Sequence, residues 1–212
     1  MPIAKATGID IAYDEFGERA APAILLIMGL GVQLTGWRES FCRRLADGGF
    51  RVVRYDNRDI GLSTKFEQAG TLSMSEVLQR AMAGKPIGAP YTLSDMASDA
   101  AGLMDALGIA KAHIVGASMG GMIAQIFAAE HADRTRSLVS IMSSSGRPGL
   151  PPSTPAAMQA LVTPPSGTDR ESVVQNTIKA RNIIGSPGYP EDQAVLRGLA
   201  EAAYDRSYYP QG

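Results

Sequence analysis

The segment Ala112-His113-Ile114-Val115-Gly116-Ala117-Ser118-Met119-Gly120-Gly121 decides how this chain is read. Its first four residues form an apolar run of strand character, and Met122 to Glu130 downstream has helical character. Between them lies a tight turn with a serine at its apex, in the pattern G-x-S-x-G. That pattern puts a serine on a strained strand-to-helix turn and exposes its hydroxyl as a nucleophile. Neighbours two positions to either side must be small, a need that Gly116 and Gly120 meet, and Gly121 lets the helix start pack close to the strand. Free N–H groups at the helix N-terminus then face the serine oxygen and whatever it attacks.

The elements on either side fit one architecture. Pro22 to Met28 is a continuous apolar run, as a strand buried on both faces shows, and Gly29-Leu30-Gly31 ends it. A helix from about Gly36 to Gly48 carries Trp37, Phe41 and Leu45 at i, i+4 and i+8. Arg51 to Asp56 reads as the next strand, followed by the polar loop Asp56-Asn57-Arg58-Asp59-Ile60-Gly61-Leu62-Ser63. Tyr91 to Gly108 is the clearest helix, with Thr92 and Asp95 as a capping pair and Gly108 as its stop. Residues 2–16 read as two short strands turned at Gly8-Ile9-Asp10. Ser137 to Ser143 reads as another buried strand. Strands alternating with helices predict an α/β fold with a mostly parallel sheet, whose active site lies beyond the carboxyl ends of the strands. Ser118 is at that end.

After Ser143 the texture changes. Ser143 to Asp169 is rich in Ser, Pro and Gly and reads as a boundary. Helical patterns follow at Thr154–Val162, Arg170–Ile184 and Glu191–Tyr204, and Tyr189, Tyr204, Tyr208 and Tyr209 fall here. The expected organisation is a core over residues 1–145 and a helical cap over 146–212; the alternative is helices packed on the same core. A cap of this apolar, tyrosine-bearing kind points to a moderately hydrophobic small ligand.

Composition narrows the function classes. A net charge of −1 gives no reason to propose nucleic acid or an acidic membrane surface as partner. The single cysteine, Cys42, excludes an internal disulfide and reads as a plain buried thiol in a helix. The N-terminus lacks a basic region followed by an apolar core, and the longest apolar stretch, Ala20 to Val32, is broken by Pro22, Gly29 and Gly31. The expectation is a cytoplasmic protein that uses no membrane.

Three stretches together resemble the α/β-hydrolase superfamily, and within it the capped esterases related to aclacinomycin methylesterase. They are Met28-Gly29-Leu30-Gly31 with Trp37 downstream, the loop Asp56 to Ser63, and the elbow Gly116 to Gly121. The resemblance implies an α/β-hydrolase fold and a serine hydrolase of a small carboxylic ester, with Ser118 as nucleophile. The backbone N–H groups of Met119 and Leu30 would form the oxyanion hole. Met28 stands where many relatives carry histidine, a change that backbone donors tolerate. The loop Asp56 to Ser63 resembles a D-x-R-G-x-G-x-S motif with Asp59 replacing its first glycine, and it reads as a structural turn beside the pocket. Hydrolysis by this route needs no cofactor, and the sequence shows no cluster of metal-ligand spacing.

A serine also needs a base, and in this fold the order is Ser, then Asp or Glu, then His. His113 precedes Ser118 by five residues of strand, about 16 Å. His131 follows it by thirteen residues, mostly helix, about 20 Å. Neither reaches the serine, and no acid stands out. The expected triad Asp and His lie beyond residue 212, in strand-helix units needing a further ~60–90 residues. Three accounts stay open: the N-terminal part of a longer hydrolase, a sheet completed by a second chain or copy through its open edge, or a stand-alone relict that binds without catalysing.

Overall fold

The computed structural model describes residues 1–69, 79–80, 83–85, 88–147 and 149–210. Pro148 and Gly212, which belong to the expected helical unit, lie outside the described residues. Among the described residues the strands are β1 (Ile3–Ala6), β2 (Ile9–Phe16), β3 (Ala23–Ile27), β4 (Arg51–Tyr55), β5 (Ala112–Ala117) and β6 (Thr135–Ile141). They form one sheet in the order β1-β2-β4-β3-β5-β6. β1 and β2 join antiparallel; β4, β3, β5 and β6 run parallel. The helices are α1 (Glu39–Asp47), α2 (Leu93–Ala106), α3 (Met119–Glu130), α4 (Pro155–Val162), α5 (Arg170–Ile184) and α6 (Gln193–Ser207).

Side chains along β3 alternate between the two faces of the sheet, which explains its unbroken apolar run. Leu25 and Ile27 join a core with Ile114, Val53 and the α2 and α3 residues Leu103, Met104 and Phe127. Ile24 and Leu26 point the other way, to Trp37, Val52 and the α1 residue Cys42. Every residue of β3 is therefore buried, and each large side chain contributes about 1.5–3 kcal/mol. α2 starts as its sequence dictates: the Thr92 hydroxyl accepts from Asp95 N–H, and the Asp95 carboxylate accepts from Thr92 N–H at 2.7 Å.

Four expectations need correction. The first hairpin turns at Thr7-Gly8, both with positive φ (49° and 83°), so Ile9 and Asp10 already pair in β2. The helix expected from Gly36 begins at Glu39. Leu34–Gly36 is instead a single 3₁₀ turn, and Trp37 and Arg38 are extended. The reason is competition for backbone groups: Asp56 takes the Leu34 N–H, and the Arg54 guanidinium donates to the Trp37 carbonyl. The elbow helix starts at Met119, because the Ser118 carbonyl accepts from Gly121 and Met122 N–H. Finally, β6 runs Thr135–Ile141 and is largely exposed, not buried. Leu138, Val139 and Ile141 are 40%, 45% and 38% exposed. Among the described residues β5 is its one strand partner, and nothing covers its outer side.

α5 and α6 pack together after the sheet, knit by Arg170 to Asp205 and Glu201 and by Arg197 to Glu171. No helix among the described residues is long and apolar enough to cross a membrane.

Cys42 is fully buried, and burial pushes its thiol up from the ordinary range against the opposing pull of Arg54. A raised pKa leaves less thiolate at a given pH. Alkylation by iodoacetamide at pH 8 is expected to run at least about tenfold slower in the folded protein than in urea. Equal rates would contradict the packing of α1 on the sheet.

Candidate active site

Ser118 sits between β5 and α3 with φ +56° and ψ −125°, a conformation that L-residues rarely adopt. Hydrogen bonds fix it from both sides. Its N–H donates to the Ile141 carbonyl of β6 at 2.9 Å, and its carbonyl accepts from Gly121 N–H at 2.9 Å. The flanking glycines permit the turn by close approach. A Cβ at Gly116 would fall 2.0 Å from the Gly120 carbonyl oxygen, and one at Gly120 would fall 2.2 Å from that of Ile27. The elbow is thus pressed onto the ends of β5 and β3, where no side chain fits.

The loop after β3 runs alongside the serine. A Cβ at Gly29 would lie 3.0 Å from the Ser118 Cβ and 3.4 Å from its Oγ. Leu30 is the next residue, with its side chain 62% exposed. Met119 opens α3, so its N–H lacks an intrahelical acceptor. The fold therefore brings Ser118, Met119, Gly116, Gly120 and the Leu30 loop to the carboxyl ends of β3 and β5. Asn57 holds this loop from below: its side-chain amide donates to the Met28 carbonyl at 2.8 Å, and the residue is buried.

Asp56 is the hub of the surrounding loops. Fully buried at the end of β4, it accepts from Leu34 N–H at 2.7 Å and Leu62 N–H at 2.9 Å. Arg206 of α6 donates to the same carboxylate at 2.7 Å. Gly61 has φ +55°, and a Cβ there would overlap the Asp56 carboxylate. The rest of the Asp56 to Ser63 loop is braced as a turn. The Arg58 guanidinium forks onto Asp99 of α2 at 2.6 and 2.7 Å and lies over Phe66 and Tyr91. The Asp59 carboxylate accepts from Phe66 N–H at 2.6 Å. Burial pulls the Lys65 ammonium below the usual lysine range, opposed by Asp56 and Asp59, and it donates to the Gly61 and Ser63 carbonyls.

The two histidines lie elsewhere. His113, level with Ile24 near the start of the parallel pairing, contacts Ser137 Oγ through Nδ1 at 2.8 Å and meets Phe50 edge-on. His131, beyond the far end of α3, packs on Phe127 with ring centroids 5.0 Å apart. Among the described residues no base reaches the Ser118 hydroxyl, and no group of three or more His, Cys, Asp or Glu is placed to hold a metal. A cavity of about 470 Å³ lies between the C-terminal helices and the core. Its walls include Gly31, Val32, Ile60, Leu196, Tyr204 and Tyr208, the two tyrosine rings stacked at 4.9 Å. It meets the loop after β3 at Gly31; Ser118 and Leu30 are not on its wall. Tyr189, grouped by sequence with these tyrosines, is 86% exposed.

Gln33 and Arg206 have no signal as site-forming residues in sequence, since each acts through a partner far along the chain, and Asn57 stands in the quoted loop Asp56 to Ser63 without its contact to Met28. Asp56 and Gly29 stood in the quoted motifs, though without their contacts.

A parallel sheet with a strained serine elbow at its carboxyl edge is the arrangement of a hydrolase fold, and the family comparison agrees. Residues 22–171 match the alpha/beta hydrolase fold family, so the chain belongs to that family. Among characterised relatives it is 28% identical over 200 residues to rhodomycin D methylesterase from Streptomyces sp. (strain C5), covering 85% of this chain and 61% of that protein. It is 26% identical over 218 residues to rhodomycin D methylesterase from Streptomyces peucetius, covering 93% and 67%. The fold is shared with the meta-cleavage product hydrolase of Pseudomonas fluorescens IP01, at TM-score 0.68 and 23% identity over 99% of this chain and 64% of that one. The chain thus spans about three-fifths of the first of these relatives.

The elbow geometry predicts opposite effects for two glycine substitutions. Gly120→Ala forces backbone apart and is expected to lower unfolding free energy by about 1–3 kcal/mol or more. Gly198→Ala, in α6 with nothing within 4 Å of the new methyl, is expected to raise it by up to about 1 kcal/mol. Urea unfolding of both variants checks this.

Proposed function

We propose that this chain is the nucleophile-bearing part of a serine-dependent hydrolase of small, moderately hydrophobic carboxylic esters. The observation that carries this reading is the Ser118 backbone, held in a strained conformation at the head of α3 and beside the loop after β3. Ser118 Oγ attacks the acyl carbon and a base takes its proton. The C–O bond to the alcohol breaks, and the leaving oxygen takes up a proton. Water then hydrolyses the acyl-enzyme and restores the serine. Met119 and Leu30 N–H groups hold the oxyanion. The triad Asp and His lie beyond residue 212, in line with the share of its relatives that the chain spans. The relatives named as methylesterases support an ester as substrate.

In the same reading residues 1–145 are the core and 146–212 a helical cap. The outer edge of β6 receives further strands, from the same polypeptide, a complementing chain or a second copy. Cytoplasmic placement belongs to this proposal as well. A second reading, a non-catalytic ligand-binding protein on the hydrolase fold, is favoured by one observation: no described base reaches Ser118.

Treatment with a fluorophosphonate followed by intact-mass measurement separates the two. The hydrolase reading expects one adduct, mapped to Ser118 and abolished by Ser118→Ala. A natural full-length polypeptide that stays unmodified is a binder.

A further inference from the structure

Gln33 follows the loop that carries Leu30 and is 9% exposed. Its side-chain amide is fully engaged by one helix. The Nε2 group donates to the Ala203 and Ser207 carbonyls of α6, both at 2.7 Å, and Oε1 accepts from Arg206 Nη1 at 2.5 Å. Ser207 ends α6, so its carbonyl has no intrahelical donor and is free to receive Gln33. The other arm of the Arg206 guanidinium, Nη2, donates to Asp56, which in turn accepts the Leu34 N–H. Ser207 Oγ donates to the Gly61 carbonyl at 2.7 Å. Consecutive residues at the end of the loop are therefore fixed from α6: Gln33 directly, and Leu34 through the carboxylate that Arg206 neutralises.

We infer that Gln33 and Arg206 are positioning residues that set the oxyanion loop from the last helix. This rests on the reading of the Leu30 N–H as an oxyanion donor. With α6 docked, the segment from Gly29 to Leu34 is held at both ends, by Asn57 on the Met28 carbonyl and by α6 on Gln33 and Asp56. With α6 released, Gln33 loses its partners and Leu34 keeps only an Asp56 carboxylate stripped of its cation, so the second anchor of the segment that carries Leu30 weakens. The loop next to the serine thus acquires its geometry from a helix about 170 residues further along the chain. Contacts that merely fasten helices to the core would stabilise the whole protein evenly. The three Gln33 contacts instead fall on the loop next to the serine.

Hydrogen–deuterium exchange on Gln33→Leu tests the inference, because that variant keeps the Arg206–Asp56 pair and cuts only the loop from the helix. Exchange at the amides of residues 30–35 is expected to rise at least about tenfold, while β5 changes less than about twofold. Arg206→Lys keeps a cation beside Asp56 but loses the fork, and gives a smaller rise in the same segment; it carries the test if Gln33→Leu does not fold. Unchanged exchange at residues 30–35, or an equal rise in the loop and β5, overturns the inference. Fluorophosphonate labelling of Ser118 on the same samples keeps the two claims apart. A full-length wild type that never labels removes the hydrolase reading and leaves the exchange result standing. Normal labelling with unchanged exchange removes only the positioning role.

Discussion

The serine at the elbow has a backbone that the chain holds against its own preference. Positive φ at a residue with a side chain costs on the order of 1–3 kcal/mol, and such strain persists only where its surroundings over-determine it. Here β5 is paired on both sides, and its last residues are tied to β6 through the Ser118 N–H. α3 then departs at once, with Gly120 against the Ile27 carbonyl. A methyl group at Gly116 or Gly120 would push the helix off the sheet, and with it the Met119 N–H. The parallel sheet, the glycines and the helix start are three parts of one constraint.

A second constraint is electrostatic. A buried carboxylate costs several kcal/mol unless its lone pairs and charge are matched. Asp56 meets this with two backbone N–H donors and a guanidinium, drawn from three separated segments. Because none of these segments can leave without stranding the charge, the loop after β3, the turn at Gly61 and the last helix move together or not at all. That coupling links the C-terminal helices to the core by a chemical requirement, whereas the exposed ion pairs between α5 and α6 are worth little each.

The parts of this arrangement that the sequence reveals are those that act locally. β3 shows itself because both faces are buried and polar residues are excluded. α2 does so because Thr92 and Asp95 cap each other three residues apart. The elbow is legible because glycine spacing is a property of one turn. The start of α1 was not: whether Trp37 is helical depends on Arg54 taking its carbonyl, which no periodicity records. Gln33 and Arg206 were missed for the same reason, being 173 residues apart. The exposure of β6 was misread because apolar composition reports what a strand can bury, not what is there to bury it.

That last point joins the strand to the serine. The Ile141 carbonyl, which accepts the Ser118 N–H, belongs to β6, whose outer side is open among the described residues. Gly121 packs against Ser140 and Ser143 of the same segment. An open apolar edge seeks pairing, and whatever pairs with β6 stiffens the residue that holds Ser118. In the proposed hydrolase, strands added beyond β6 therefore do two things through one contact. They cover Leu138, Val139 and Ile141, and they fix the strand end on which the strained elbow leans.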